Sequence, residues 1–251
     1  MNCCGSERLV QESFSLIFTS GLKEAYDFII EIGVTVGIVL IMGIGLRWSS
    51  SWIRRQAKDI YVKKARSEGY RARSAYKLLE MDDKLKILRP NMNVMECGGA
   101  PGAWTQVLTE RVSSGMIISC DLLDYEPVGH AIILPNSDFT SPSTQDTILS
   151  HLGKSSGFDL VLSDMAPNAS GMAELNHGQI LNLSYEATKF ALRHSKPGAA
   201  FLTKLWNGNG LEGYLTDLRR FYNNVQVVKP KSSRKESAEL FIYASKFKGI
   251  D

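Results

Sequence analysis

Four polar residues stand where their neighbours favour something apolar. Lys77 lies in Ser74-Ala75-Tyr76-Lys77-Leu78 and Asp164 in Ser163-Asp164-Met165-Ala166-Pro167-Asn168. Lys204 lies in Leu202-Thr203-Lys204-Leu205-Trp206 and Glu239 in Ala238-Glu239-Leu240-Phe241. A lysine inside an apolar strand is costly unless it is paired or put to use. Two amines and two carboxylates form a set that can take up a proton, hold the resulting charge and orient a polar reactant. The plain structural alternative is a lysine at a strand end whose ammonium snorkels to water.

These residues need a scaffold to bring them together, and the chain from Arg47 onward reads as alternating strands and helices. Short apolar runs suited to buried parallel strands fall at Asn93–Cys97, Met116–Cys120, Ala131–Leu134, Asp159–Leu162 and Ala199–Leu205. Helical patterns separate them at Trp104–Arg111, Thr144–Leu152, Ile180–His194 and Leu211–Tyr222. Two last runs, Val225–Val228 and Glu239–Ala244, follow without a helix between them and are expected to pair antiparallel through the basic loop Lys229–Lys235. The expected fold class is α/β, a doubly wound, mostly parallel sheet with helices on both faces.

Glu96-Cys97-Gly98-Gly99-Ala100-Pro101-Gly102-Ala103-Trp104 follows the first expected strand and opens a helix. Glycines there let the backbone turn sharply and approach a ligand. Asp121 ends the next strand, where an acidic side chain can accept from ribose hydroxyls. Asp138 follows the third strand and is expected to reach an adenine amino group. Each aspartate alone could equally be a turn or cap residue. Their position at successive strand ends, where open α/β sheets bind ligands, raises them together. Pro101 removes one backbone N–H from the turn, which favours S-adenosylmethionine, a cofactor without phosphate, over a dinucleotide.

The net charge of +3 hides a strong asymmetry: Arg47–Lys77 holds ten basic residues against only Asp59 and Glu68. This segment, 47–77, is either a solvated face or a site for a polyanion such as RNA, with Tyr61, Tyr70 and Tyr76 interleaved to stack a base. Cys97 and Cys120 fall in strand-like runs and Cys3 and Cys4 are adjacent, so no disulfide framework is expected. His130, His151, His177 and His194 show no metal-ligand spacing, and no metal is expected. Residues 1–46 are unlike the rest. Ile32–Leu46 is uncharged and mostly apolar, short of the ~20 residues a spanning helix needs. Residues 1–27 carry net negative charge, against a secretory signal. An anchor with membrane contact through residues 28–46, an atypical targeting segment and a gene-model artefact remain as readings of this extension.

Taken together, the four polar residues and the motifs Gly98-Gly99-Ala100-Pro101-Gly102-Ala103-Trp104 and Ser163-Asp164-Met165-Ala166-Pro167-Asn168 resemble the FtsJ/RrmJ family of RNA ribose 2′-O-methyltransferases, over about Arg47 to Phe247. Ser233-Arg234-Lys235-Glu236-Ser237-Ala238-Glu239 and the Met-Ala-Pro-Asn loop look most like the mitochondrial branch, which methylates a uridine of large-subunit ribosomal RNA. The resemblance implies a seven-stranded Rossmann-like sheet over residues 47–251, with S-adenosyl-L-methionine held at Gly98, Gly102, Trp104, Asp121, Asp138 and Asp164. It implies a catalytic set of Lys77, Asp164, Lys204 and Glu239, with Lys204 as proton acceptor. The implied partner is ribosomal RNA, in a large-subunit assembly particle, and the implied location is the mitochondrion; the apolar extension, with Arg47, Arg54 and Arg55 at its C-terminal flank, adds the expectation of an inner-membrane anchor that leaves the domain in the matrix. Glu96 departs from the family's usual aspartate and Ala103 from a common second glycine.

Three rival readings stay open at this point. A catalytically silent RNA-binding assembly factor would have little reason to keep all four polar residues. A small-molecule methyltransferase would not need the basic segment. Methylation of another RNA, such as transfer RNA, is separable only by assay, and the sequence leaves the oligomeric state open.

Overall fold

The computed structural model describes residues 58–153, 157–167 and 173–250. Residues 1–46, including the apolar run at 28–46, lie outside the described residues, as do Arg47, Arg54, Arg55 and Asn168. Among the described residues no helix is long and apolar enough to cross a membrane. None of their His, Cys, Asp and Glu side chains gather in a group of three that could hold a metal ion.

Two helices open the described chain, α1 (Ile60–Glu68) and α2 (Ala75–Leu85). The alternating part follows as β1 (Val94–Cys97), α3 (Ala103–Arg111), β2 (Ile117–Cys120), β3 (Ile132–Leu134), α4 (Pro142–Leu152), β4 (Phe158–Ser163), α5 (Ala173–His194), β5 (Ser195–Trp206), α6 (Leu211–Phe221), β6 (Tyr222–Val228) and β7 (Glu239–Phe247). All seven strands join one sheet in the order β3-β2-β1-β4-β5-β7-β6. The first five run parallel. β7 inserts antiparallel between β5 and β6, pairing with both. The expected antiparallel pairing of the last two runs is therefore present. Its insertion next to β5 is new, because strand order is a property of long-range pairing.

β1 and β2 are buried at every position, as strands covered by helices on both faces must be. Alternate residues feed two cores. Met95, Cys97, Ile118, Cys120, Val161 and Phe201 face one side with residues of α4, α5 and α6. Val94, Ile117, Leu160, Leu162, Leu202 and Phe241 face the other with Leu78 and Met81 of α2 and Val107 and Leu108 of α3. Burying each large apolar side chain contributes roughly 1.5–3 kcal/mol against exposure. α2 earns its place by spacing, since Ala75, Leu78 and Met81 are all buried and recur along one face.

Several element bounds differ from the sequence expectation. α5 starts at Ala173 and β5 at Ser195, both earlier than expected, because the polar heads of the helix and of the strand carry no clear apolar period. The tyrosines of the basic segment cluster with one another, Tyr76 buried and Tyr61 and Tyr70 half-buried. Tyr76 is 3% exposed and packs against Tyr61 and Tyr70 at ring-centroid distances of 5.5 and 5.8 Å. Their hydroxyls donate to Glu80, Glu110 and Glu68, for Tyr61, Tyr70 and Tyr76 respectively. Burial and the Glu110 carboxylate push the Tyr70 hydroxyl up to about 12.

Candidate active site

The four polar residues converge from four elements onto one face of the sheet, at the carboxyl ends of the parallel strands. Lys204 lies on β5 opposite Phe241 of β7, and Trp206 opposite Glu239, so alternation puts Lys204 and Glu239 on the same face. Asp164 follows β4, where its N–H donates to Cys97 O at 3.0 Å and continues the β1 pairing past the strand end. Lys77 comes from α2, which covers that face. Lys77 Nζ lies 2.7 Å from Glu239 Oε2, with side chains only 15% and 14% exposed. It also sits 5.8 Å from the centre of the Phe241 ring. Lys204 Nζ lies 3.0 Å from Asp164 Oδ1 and donates to the Asp164 main-chain carbonyl. The Oδ1 atom is buried without an aligned hydrogen bond. That contact is therefore an ion pair whose acceptor capacity remains open.

Ser233, which the sequence marked only as part of a motif and not as a site residue, completes the set. Its Oγ donates to Glu239 Oε1 at 2.8 Å, so each Glu239 oxygen has its own donor. The loop that carries it is itself fastened, Ser232 N–H donating to Glu80 Oε2 at 3.0 Å and Arg73 donating to Ser232 O. A serine in a basic loop gives no sequence signal of burial, yet Ser232 and Ser233 are buried.

The amides of the glycine turn between β1 and α3 are taken up by the end of β2, by Asp121 and by the turn itself. Gly98 and Gly99 N–H both donate to Cys120 O, at 2.9 and 3.2 Å, Ala100 N–H to Asp121 Oδ2 at 2.9 Å, and Gly102 N–H to Gly99 O at 2.7 Å. Pro101 has no N–H. None of the five positions keeps a spare amide, so the donors left for a ligand are the first amides of α3, fewer than a dinucleotide turn offers. The turn suits a cofactor without phosphate. Gly98 has φ of +83°, and a Cβ there would stand 2.9 Å from Met165 N, so glycine lets the Asp164 loop lie against the turn.

Asp121 and Asp138 stand at the ends of β2 and β3 as expected. Asp121 Oδ1 also accepts Leu123 N–H at 2.8 Å, leaving one lone pair on each oxygen. Asp138 accepts from Thr140 N–H and Oγ1 at 2.8 and 2.7 Å, both on Oδ1. Trp104 is placed differently from a side-chain ligand. It is 3% exposed, stacks near Phe241 at 5.7 Å, and its indole N–H donates to Ser74 O at 2.8 Å. What it can offer a ligand is its main-chain amide, which in the first turn of α3 lacks an intrahelical partner.

Beneath the turn lies a buried carboxyl. Glu96 is fully buried and accepts Thr105 and Ser119 hydroxyls on Oε2, each at 2.7 Å, while Oε1 has no partner. Burial pushes its pKa up to about 7, against the relief given by the two hydroxyls. Tyr125 OH donates to Ser119 Oγ at 2.6 Å and extends the chain toward the β2–β3 segment.

The sequence profile of FtsJ-like methyltransferases matches residues 70–247, and the chain belongs to that family. It is 45% identical over 210 residues to "rRNA methyltransferase 2, mitochondrial" of Drosophila melanogaster, covering 80% of this chain and 84% of the relative. It is 42% identical over 199 residues to "Ribosomal RNA large subunit methyltransferase E" of Azoarcus sp. strain BH72, covering 77% and 94%. A solved structure described as a ribosomal RNA methyltransferase of Plasmodium falciparum superposes with a TM-score of 0.65 at 26% identity, covering 72% of this chain and all of the other.

Proposed function

We propose that the chain transfers a methyl group from S-adenosylmethionine to a ribose 2′-hydroxyl of large-subunit ribosomal RNA in the mitochondrion, with a uridine as the target. The observation that carries this reading is the convergence of the Lys77–Glu239 and Lys204–Asp164 pairs beside a turn without free amides. The names of the Drosophila and Azoarcus relatives support the substrate, and the former supports the compartment.

S-adenosylmethionine, when bound, supplies an electrophilic methyl group on a sulfonium. Gly98, Gly102, Asp121, Asp138, Asp164 and the Trp104 main chain would hold it. In its neutral form Lys204 would accept the 2′-hydroxyl proton on Nζ as the ribose oxygen takes the methyl group and the sulfonium leaves as a neutral thioether. The Asp164 carboxylate and carbonyl already contact that nitrogen and hold the ammonium once it has formed. Glu239, fixed by Ser233, holds Lys77 as a second ammonium that orients the ribose. Alignment of the two reactants can contribute up to about 7–11 kcal/mol, more than the proton transfer itself. Exposed Lys58, Lys63, Lys64 and Arg66 are described groups of segment 47–77 open to RNA phosphates.

The test is incubation of the full chain with tritiated S-adenosylmethionine and ribosomal RNA, transfer RNA or total metabolites. Label at ribose in ribosomal RNA is expected. Label only in transfer RNA or metabolites would overturn the substrate. Cofactor binding with no transfer to any of them would instead mark a silent assembly factor.

A further inference from the structure

Arg71 belongs by sequence to the basic segment, whose expected partner is RNA phosphate. In the structure its guanidinium is turned onto main-chain carbonyls. Nη1 donates to Pro101 O at 3.1 Å and to Glu126 O at 2.7 Å, and Nη2 donates to Pro127 O at 2.9 Å. These acceptors belong to two separate walls of the cofactor cleft. Pro101 lies in the glycine turn, whereas Glu126 and Pro127 lie in the segment that leads from Asp121 to β3.

The main chain of Arg71 is fixed as well. Its N–H donates to Gln106 Oε1 at 2.8 Å, and Gln106 Nε2 donates back to Gly69 O at 2.9 Å. Gln106 is on α3, the helix that the glycine turn opens, so the arginine is anchored to one wall while it grips both. Gly102 makes room for this grip. A Cβ there would stand 2.6 Å from Arg71 Nη1 and 3.3 Å from Tyr125 Cδ2, and its φ of +99° disfavours any side chain. The hydrogen-bond chain from Tyr125 through Ser119 to Glu96 stitches the same joint from below. Three carbonyls meeting at one point require a cation with several divergent donors. A planar guanidinium provides them on separate nitrogens, while an ammonium has a single nitrogen to share.

We infer that Arg71 is a positioning residue of the cofactor cleft: it sets the spacing of the glycine turn and the β2–β3 segment, and hence cofactor affinity, and is not a phosphate contact. The inference rests on the cofactor assignment above. It also explains Gly102 by the clamp behind it as much as by the ligand in front.

The experiment compares full-length wild type with Arg71→Ala and Arg71→Lys, measuring the Kd for S-adenosylmethionine by calorimetry, its KM and kcat in methyl transfer, the affinity for ribosomal RNA, and the Tm. Arg71→Ala is expected to raise the cofactor Kd and KM about tenfold, the scale of losing hydrogen bonds from a charged donor, with RNA affinity held within about twofold. Arg71→Lys should recover part of the cofactor affinity. A fall in RNA affinity with an unchanged cofactor Kd would make Arg71 a phosphate contact and overturn the inference. Equal loss of both affinities with a lowered Tm in both variants would reduce it to a role in the fold and overturn it too. Failure of wild type to bind the cofactor would refute the cofactor assignment itself, and the inference with it.

Discussion

The two sides of the cleft are held together by different kinds of bond. On the cofactor side the main chain does most of the holding. The amides of Gly98, Gly99, Ala100 and Gly102 are all used within the turn and its neighbours, and Arg71 closes the back through carbonyls. On the proposed catalytic side the polar groups are side chains from separate elements, joined as Lys77–Glu239 and Lys204–Asp164. The sides meet where Met165 lies against Gly98. A wall built from main chain tolerates many side chains, provided its glycines stay. A wall built from half-buried ion pairs does not, because removing one partner leaves the other charge uncompensated.

The catalytic side should show the largest effect. Lys204→Met is expected to lower single-turnover methylation of ribosomal RNA at saturating S-adenosylmethionine by about 100- to 10,000-fold, with cofactor and RNA binding retained. Lys204→Arg should be equally inactive, since a guanidinium keeps the charge but does not release its proton near neutral pH. An arginine variant that kept most of the rate would make Lys204 an electrostatic anchor, with the base to be sought among Asp164, Glu239 and water.

On the cofactor side, Asp121→Ala combined with Asp138→Ala should weaken S-adenosylmethionine binding about 100-fold in calorimetry, with RNA affinity unchanged. Part of this loss comes from the turn, because Asp121 also holds the Ala100 amide. Wild-type affinity in the double variant would break the assignment of this side.

The smallest effect belongs to Glu96, under the cofactor wall. Its folded value of about 7 stands above the ordinary 4.5, so between these values the folded chain binds more protons than the unfolded one. Its contribution to stability is complete below about pH 4.5, falls as pH rises to about 7, and is level above. The fall is at most on the order of 3 kcal/mol. Glu96→Gln, which resembles the protonated carboxyl, should gain on wild type across that window in urea denaturation. Parallel pH curves for the two proteins would show that Glu96 does not titrate there.

What could be read in the sequence was what neighbouring residues express. The five parallel strands, the glycine turn before Trp104, and Asp121 and Asp138 at successive strand ends are local patterns of apolar period, glycine spacing and strand termination. Lys204 and Glu239 were conspicuous because a charged residue interrupts an apolar run. The sequence could also suggest that β6 and β7 pair, since a single short loop joins them. It could not place β7 against β5, and so could not state which carboxylate would serve which lysine. Lys77 and Glu239 are 162 residues apart, and only the packing of α2 over β7 brings them to 2.7 Å. The same holds for the basic segment, where composition suggests a uniform RNA surface. Tertiary structure instead turns Arg71 onto three carbonyls, buries Tyr76 and gives Lys77 to Glu239. The physical reason is that residue type sets what a group can bond to, whereas the partner within reach is set by where distant segments of the chain come to lie.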